Sequence, residues 1–357
     1  MANDVSRPFP TGPALATLCE QVADRADVTR TAGPWLSGVF DAFAESGCLA
    51  GWIDLAHGGS AATEPAIMDL LVAVASRCLT SALALTQWAS AVRILRRADL
   101  ATRQRFLPAL AVGHQFTTVG ISQLTTSRQH LARPAVTAIS GPNGWRLTGV
   151  CPWVTGADSV QTIVTGAVAT MPGGEPEPRF FAIDTASPGV VVEPPLEMLA
   201  LSGSRTSCVR LEEASVIAEI PSVSKPAGQT GGLGTTALAL GSTRAALRLI
   251  DGEADRRQSL APVSAELRRE ADALEQEFHQ AVGNGCDATS RNRLRQRANA
   301  LVTRAAQAAL TASKGAGFVV GHPAEQLLRE SMFFLVWSCP QPVTESLLCD
   351  LAGLATD

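Results

Sequence analysis

The stretch Gly149-Val150-Cys151-Pro152-Trp153-Val154-Thr155-Gly156-Ala157-Asp158 decides how the rest of this chain is read. It follows a strand-like run over residues 144–148 and precedes another over residues 160–168. Side chains alternate across a strand, so Trp153 and Thr155 are expected on one face of an extended segment. A flat aromatic wall beside a hydroxyl suits a planar heterocycle that must be both packed and hydrogen-bonded. The alternative is a buried core Trp with a Thr chosen for strand propensity.

Working outward, 357 residues are too many for one ordinary core and imply two or three domains. Hydrophobic residues make up 46% and charged ones 17%, the balance of a globular chain rather than a disordered one. The net charge of -4, without a sustained basic block, argues against a nucleic-acid partner. Cysteines at 19, 48, 78, 151, 208, 286, 339 and 349 form no C-x-x-C pair and no zinc set with His, so no metal is expected. With no signal-peptide pattern at the Met1 end, they read as reduced thiols in a cytoplasmic protein. No apolar run reaches the roughly 18 to 20 residues that cross a bilayer, so no membrane partner is expected.

Residues 1–114 read as helical. Ala14, Leu15, Leu18 and Val22, then Trp35, Leu36, Val39, Phe40 and Phe43, recur at helical spacing, and Gly47 can close the second helix. Gly51 to Gly59 reads as a loop. Thr63-Glu64-Pro65 opens a long apolar helix carried by Ile67, Leu70, Leu71 and Val74 to about Leu83, followed by another from about Gln87 to Arg97. Gln104 to Gly113 reads as a short amphipathic helix. From Phe116 the texture changes to short Thr- and Val-rich runs separated by turns such as Gly141-Pro142-Asn143-Gly144, the pattern of a sandwich or barrel. After a Pro/Gly/Ser-rich linker over residues 221–234, three helical stripes return, the third rich in Ala from Leu301 to Ala312. A final helix follows His322-Pro323.

Helices, a β insert and a helical bundle form the layout of the acyl-CoA dehydrogenases, and several motifs resemble that family in order. Gln104 to Gly113 followed by Gly120-Ile121-Ser122-Gln123 resembles the lead into the family's middle domain. Its flavin-contacting Thr-Glu-Pro is matched there by Ser122-Gln123-Leu124. Trp153 and Thr155 resemble the family's Trp-x-Thr, whose ring and hydroxyl lie by the flavin. Ser204 to Ser207 and Val209 to Ala214 resemble its Arg-rich turn and last β-strand. Ser313-Lys314-Gly315-Ala316-Gly317-Phe318 is similar to its Gly-Gly-x-Gly-Phe loop, and Pro323-x-Glu325-x-x-x-Arg329-Glu330 to its Pro-x-Glu…Arg-Asp helix.

The resemblance covers nearly the whole chain. It implies an α+β multidomain fold: an all-α domain over residues 1–114, a β-sandwich or barrel over 115–222, and a four-helix bundle over 223–357. It further implies bound FAD, an acyl thioester (on CoA or a carrier protein) or similar small molecule as substrate, and a homo-dimer or homo-tetramer.

Under that resemblance the FAD contacts fall on Ser122, Trp153, Thr155, Arg257, Gly315 and Gly317, with Ser127 facing the pyrophosphate or the thioester. Gly315 and Gly317 would let backbone approach the flavin of a neighbouring subunit, since Gly has no Cβ; the alternative is a plain helix C-cap and turn. Arg257 lies where the family's adenine-side Arg would, or is a solvated charge in Asp255-Arg256-Arg257. Two companions differ, with Leu260 for the expected Phe and Arg268 for the expected Gln. Arg128 replaces the Asp of the family's Gly-Ser-Asp.

The main departure is the base. Removing an α-proton from an acyl thioester takes a positioned carboxylate. Ungapped counting from Pro323 and Arg329 puts Trp337-Ser338-Cys339-Pro340 where the family has Tyr-Glu-Gly-Thr, so Ser338 stands at the catalytic Glu. The family's second base location falls near Gly231-Gly232 and is empty too. Ser would itself need a base. Cys339 would need a lowered pKa, and no cationic neighbour is evident along the sequence. His130 and Glu345 are the remaining candidates, with surface roles as alternatives. Three readings follow: an acyl-CoA dehydrogenase-like oxidoreductase with its catalytic residue unidentified, a non-catalytic subunit of a heteromeric dehydrogenase, and a flavin monooxygenase that needs no Glu.

Overall fold

The computed structural model describes residues 8–26, 35–125, 134–171, 173–221, 232–337, 339 and 341–353. Its α-helices are α1 (Gly12–Ala26), α2 (Ser37–Glu45), α3 (Glu64–Ala75), α4 (Leu79–Leu95), α5 (Leu100–Ala111), α6 (Ser122–Thr125), α7 (Leu233–Arg256), α8 (Ala261–Asn284), α9 (Ala288–Gly317), α10 (Pro323–Ser331) and α11 (Gln341–Ala352). Its strands are β1 (Thr117–Gly120), β2 (Val136–Gly141), β3 (Gly144–Val154), β4 (Thr162–Thr170), β5 (Glu177–Asp184), β6 (Val190–Pro195), β7 (Ser207–Ser215) and β8 (Ala218–Ile220). Helical N- and C-terminal parts thus flank a middle β domain, as the sequence implies. The backbone divides into two compact units. One comprises 1–63, 83–198 and 202–225, the other 64–82, 199–201 and 226–357.

In the first unit the strands form one mixed sheet in the order β6-β7-β3-β2-β4-β5-β8, with β1 added parallel to β4. Alternation sets its inner face: along β7, Ser207, Val209 and Leu211 are buried while Arg210 and Glu212 are not. Leu147, Cys151, Val154, Ile163, Phe181 and Val209 share the core. Burying each of the larger of these contributes roughly 1.5–3 kcal/mol. β4 is buried along nearly its whole length, the pattern of a central strand covered on both faces. α2 ends as expected at Gly47, whose φ of 77° puts it in the left-handed region, with the Cys48 N–H returning to the Phe43 carbonyl.

In the second unit α7 packs on α3 and α9. Gly241 permits the α3 approach, because a Cβ there would lie 2.4 Å from the Val72 carbonyl oxygen and 2.6 Å from the Ala75 Cβ. α9 turns Ala298, Ala305, Ala309 and Ala312 inward together with the longer side chains of Leu294, Arg295, Asn299, Leu301 and Val302. Asp287 caps it by accepting the Ser290 N–H at 2.7 Å.

The sequence's helix boundary near Leu83 is corrected. α3 stops at Ala75, where Ser76 turns its hydroxyl onto the Ala73 carbonyl at 2.8 Å and Arg248 of α7 takes up the Ser76 carbonyl. α4 then starts at Leu79 and runs through Gln87 to Leu95, so the boundary expected between two helices there does not exist. Among the described residues no helix is long and apolar enough to cross a membrane.

Candidate functional site

The decisive stretch forms a corner at the end of β3. The strand runs to Val154 and carries an irregularity in its pairing with β7 between Cys151 and Val154. Simple alternation therefore fails at this point. Trp153 stands 50% exposed, while Thr155, one residue past the strand, is only 7% exposed. The expectation that both share one open face is replaced by an exposed indole beside a buried hydroxyl.

That hydroxyl is wired in. Thr155 Oγ1 lies 3.3 Å from Thr206 Oγ1, which lies 2.9 Å from Ser204 Oγ. Gly156 makes the turn with φ +65°, and its N–H donates to the Ser204 carbonyl at 2.9 Å. The Trp35 ring closes over it: a Cβ on Gly156 would lie 2.4 Å from that ring. The hydroxyl run 204–207, read from sequence only as an Arg-rich turn, thus supplies the partners of Thr155. Nothing in its spacing pointed to that role.

Ser122 and Gln123 are drawn to the same strand through α6, which packs on β3. Gln123 is buried, and its Nε2 donates to the carbonyls of Gly120 and Gly166, each at 3.0 Å, and to Thr165 Oγ1 at 3.3 Å. Those donations fix which way the amide points, and its Oε1 remains buried without a partner. Cys151 lies between them, its Sγ 3.1 Å from Thr165 Oγ1, and burial raises its thiol to about 11. Ser127 and His130 lie outside the described residues.

Arg257, Gly315 and Gly317 all belong to the second unit. Arg257 follows α7 and donates to the Glu253 carboxylate at 2.6 Å and to the Ala312 carbonyl near the end of α9. Arg257 and the end of α9 that leads into Gly315 and Gly317, far apart in sequence, are therefore neighbours. The glycines themselves differ. A Cβ on Gly317 would clash with the Ser313 Cβ at 2.6 Å, so packing within the chain explains it, whereas nothing lies within 4 Å of a Cβ on Gly315. Lys314 occupies the first Gly of the Gly-Gly-x-Gly-Phe pattern and has φ 54° and ψ -148°, a region that non-glycine residues enter only under strain. Beyond it Phe318, Val319 and Val320 are 78%, 63% and 84% exposed.

The segment after α10 corrects a second expectation. Ser338 and Gly231 lie outside the described residues, but Cys339 does have a cationic neighbour. Arg295 of α9 places Nη2 3.9 Å from Cys339 Sγ and 2.6 Å from the Trp337 carbonyl oxygen. One turn on, Asn299 Nδ2 donates to the Phe334 carbonyl at 2.9 Å. The available signal was Arg295-Asn299-Val302-Ala306 at i, i+4, i+7 and i+11, two polar residues on an inward stripe. Burial raises the Cys339 thiol and Arg295 opposes the rise, leaving a net upward shift, so this cysteine rests as a neutral thiol. Glu345 is exposed on α11. Among the described residues no three His, Cys, Asp or Glu side chains group as a metal site, and none of the eight cysteines forms a disulfide.

Helical N- and C-terminal parts with a middle β-sheet domain match the acyl-CoA dehydrogenase fold, and solved structures superpose over nearly the full chain. Butyryl-CoA dehydrogenase from Megasphaera elsdenii matches with a TM-score of 0.79 at 16% identity, covering 95% of this chain and 99% of its own. KijD3, solved with FMN and a dTDP-amino-keto-sugar, matches with a TM-score of 0.77 at 20% identity, covering 98% and 96%. Dibenzothiophene monooxygenase (TdsC) from Paenibacillus sp. A11-2 matches with a TM-score of 0.78 at 16% identity, covering 96% and 97%. No protein-family model and no curated protein matches the sequence.

Proposed function

We propose that this protein is a flavin-dependent oxidoreductase. The observation that carries the reading is the β3 corner, where an exposed Trp153 indole stands next to the locked Thr155 hydroxyl. A large aromatic surface left half in water at the end of β3 suits the face of a planar ring system. The unpartnered Oε1 of Gln123 suits an N–H donor on such a ring, and FAD and FMN both offer one. Gly315, which this chain's own packing leaves open, suits close approach by a group from elsewhere.

When bound, the flavin supplies the two-electron chemistry, and the protein supplies binding, orientation and electrostatics. Thr155, held by Thr206 and Ser204, keeps its hydroxyl in one orientation so that it donates to a ring edge without reorganising. Trp153 shields that edge from water. Ser122 and Gln123 lie on α6, which packs on the same strand β3.

For the substrate we favour an acyl thioester, the class named by butyryl-CoA dehydrogenase and by a glutaryl-CoA dehydrogenase that also matches. The exposed Phe318-Val319-Val320 run beside Arg257 and Gly315 supports association of copies of the chain. A second reading, oxygenation by reduced flavin, is favoured by Ser338 at the usual Glu position and by likeness to TdsC.

Reconstitution decides between these readings. Purified protein is incubated with FAD or FMN, passed through gel filtration, and its visible spectrum recorded. Co-eluting flavin absorbance is expected, and its absence with both flavins removes the proposal. Anaerobic bleaching of that absorbance by an acyl thioester supports dehydrogenation. Product formation only with reductant and oxygen supports the second reading.

A further inference from the structure

Arg295 is the least accommodated charge among the described residues. It is 2% exposed, and its Nε and Nη1 are buried with no hydrogen-bond partner. A guanidinium has five N–H donors and no acceptor, so only acceptors or an anion can satisfy it. Nη2 has the Trp337 carbonyl and the Cys339 sulfur. No carboxylate reaches it: Cys339 is the one ionisable group whose charge acts on it among the described residues. A buried charge kept without a partner is costly, and such groups ordinarily coordinate, pair or lose their charge. Arginine does not readily lose its charge, although burial pulls its pKa downward here.

We propose that Cys339 is an oxidative modification site whose oxidised, anionic form is held by the Arg295 guanidinium, whose Nη2 lies 3.9 Å from the sulfur. The inference is independent of the flavin reading. Cys339 is half-buried, so a small peroxide can reach it while the guanidinium stays dry. In the reduced state its S–H donates to the Phe334 carbonyl at 3.5 Å. The oxidant is hydrogen peroxide. Sulfur attacks one peroxide oxygen, an S–O bond forms, and the O–O bond breaks. Sulfur loses two electrons, and the displaced hydroxide leaves as water with the thiol proton. The resulting sulfenic acid ionises far more readily than a thiol, and its S–O⁻ gives Arg295 the anion it lacks. A second peroxide adds another oxygen in the same way to give a sulfinate, a permanent anion. Because the resting thiol is neutral, the arginine acts chiefly on the product, by retaining it.

The test exposes the full-length protein to a fixed pulse of hydrogen peroxide, quenches with catalase and a thiol-alkylating agent, and digests it. Mass spectrometry then reads, for each cysteine peptide, the fraction carrying one or two added oxygens. Cys208, Cys286 and Cys349, also half-buried, serve as controls within the same digest. Cys339 is expected to carry added oxygen at about fivefold the level of each control, since the guanidinium beside it stabilises and retains the anionic product. Arg295→Lys keeps the cation and most of the excess, and Arg295→Met brings Cys339 to the control level. Oxidation of Cys339 no greater than that of the three controls overturns the proposal in the unmodified protein alone, whether or not the variants fold. An excess that persists in folded Arg295→Met also overturns it.

Discussion

The corner at Thr155 and the α9 face at Arg295 bury polar groups in opposite ways. At the corner, hydroxyls bury polarity cheaply, because each is both donor and acceptor and can pass a hydrogen bond on, from Thr155 to Thr206 to Ser204. On α9 a donor-only guanidinium and the Asn299 Oδ1 are left with unmet demands. The first arrangement is a closed account of neutral groups, stable as it stands and suited to holding a ligand in one pose. The second stores unfavourable energy that a change of state at its neighbour can release. Residue chemistry, more than burial, separates a holder from a responder.

The largest expected effect breaks the corner. Gly156→Val places a branched side chain at φ +65° and into the Trp35 ring. Strain and overpacking together are expected to cost about 3 kcal/mol. Urea denaturation should show the midpoint falling accordingly, and a midpoint that hardly moves would mean that Trp35 does not seal the turn.

Next comes an effect of opposite sign. Arg295→Met removes an uncompensated buried cation of similar length and loses one hydrogen bond to the Trp337 carbonyl. Relief of the charge outweighs that bond, so folding is expected to strengthen by about 1–2 kcal/mol. The same urea titration reads it. A variant less stable than the parent would show that Arg295 is satisfied in solution, and the contrast between the two regions would collapse.

Thr155→Val sharpens the comparison from the other side. It removes one hydroxyl from the relay while Thr206 keeps Ser204 as a partner, so the stability cost is expected near 1 kcal/mol. Flavin retention on gel filtration should drop further than stability does. Equal retention by Thr155→Val and by the parent protein would move the flavin contact away from this corner.

These contrasts show what the sequence could and could not convey. The texture change at Phe116, the turn at Gly141 to Gly144 and the Ala-rich stripe of α9 carry the layout, because periodicity and turn chemistry are local. Gly47 closes α2 for a local reason too. The α3–α4 break was not legible, since it depends on Arg248, 172 residues beyond Ser76, taking up a carbonyl. The same holds for Cys339, whose cation lies on another helix, 44 residues earlier. The split of Trp153 from Thr155 was hidden by an irregularity that depends on how β3 pairs with β7. Motif order nominated the candidate residues, and long-range pairing decided their environments.

The smallest effect concerns a charge in the same unit that is satisfied. Arg329 of α10 pairs with Glu325 one turn before it and donates to the Leu199 carbonyl at 2.9 Å. The hydrogen bond from Arg329 holds the Glu325 carboxyl below its ordinary range. A depressed folded pKa means that the stabilisation is fully present above the unfolded value of about 4.3 and is lost as pH falls through the lower folded value. The pair is partly solvated, so its contribution is expected to be about 0.5 kcal/mol. The urea midpoints of the parent and Glu325→Gln should therefore differ slightly at pH 7 and converge as the pH falls through the lowered folded value of Glu325. Arg329 with its carboxylate titrates away quietly in acid. Arg295 has no carboxylate to protonate, so the gain from Arg295→Met should persist across the same pH range. If both differences vanish together in acid, Arg295 has an acidic partner after all, and the cation on α9 is no different in kind from the one on α10.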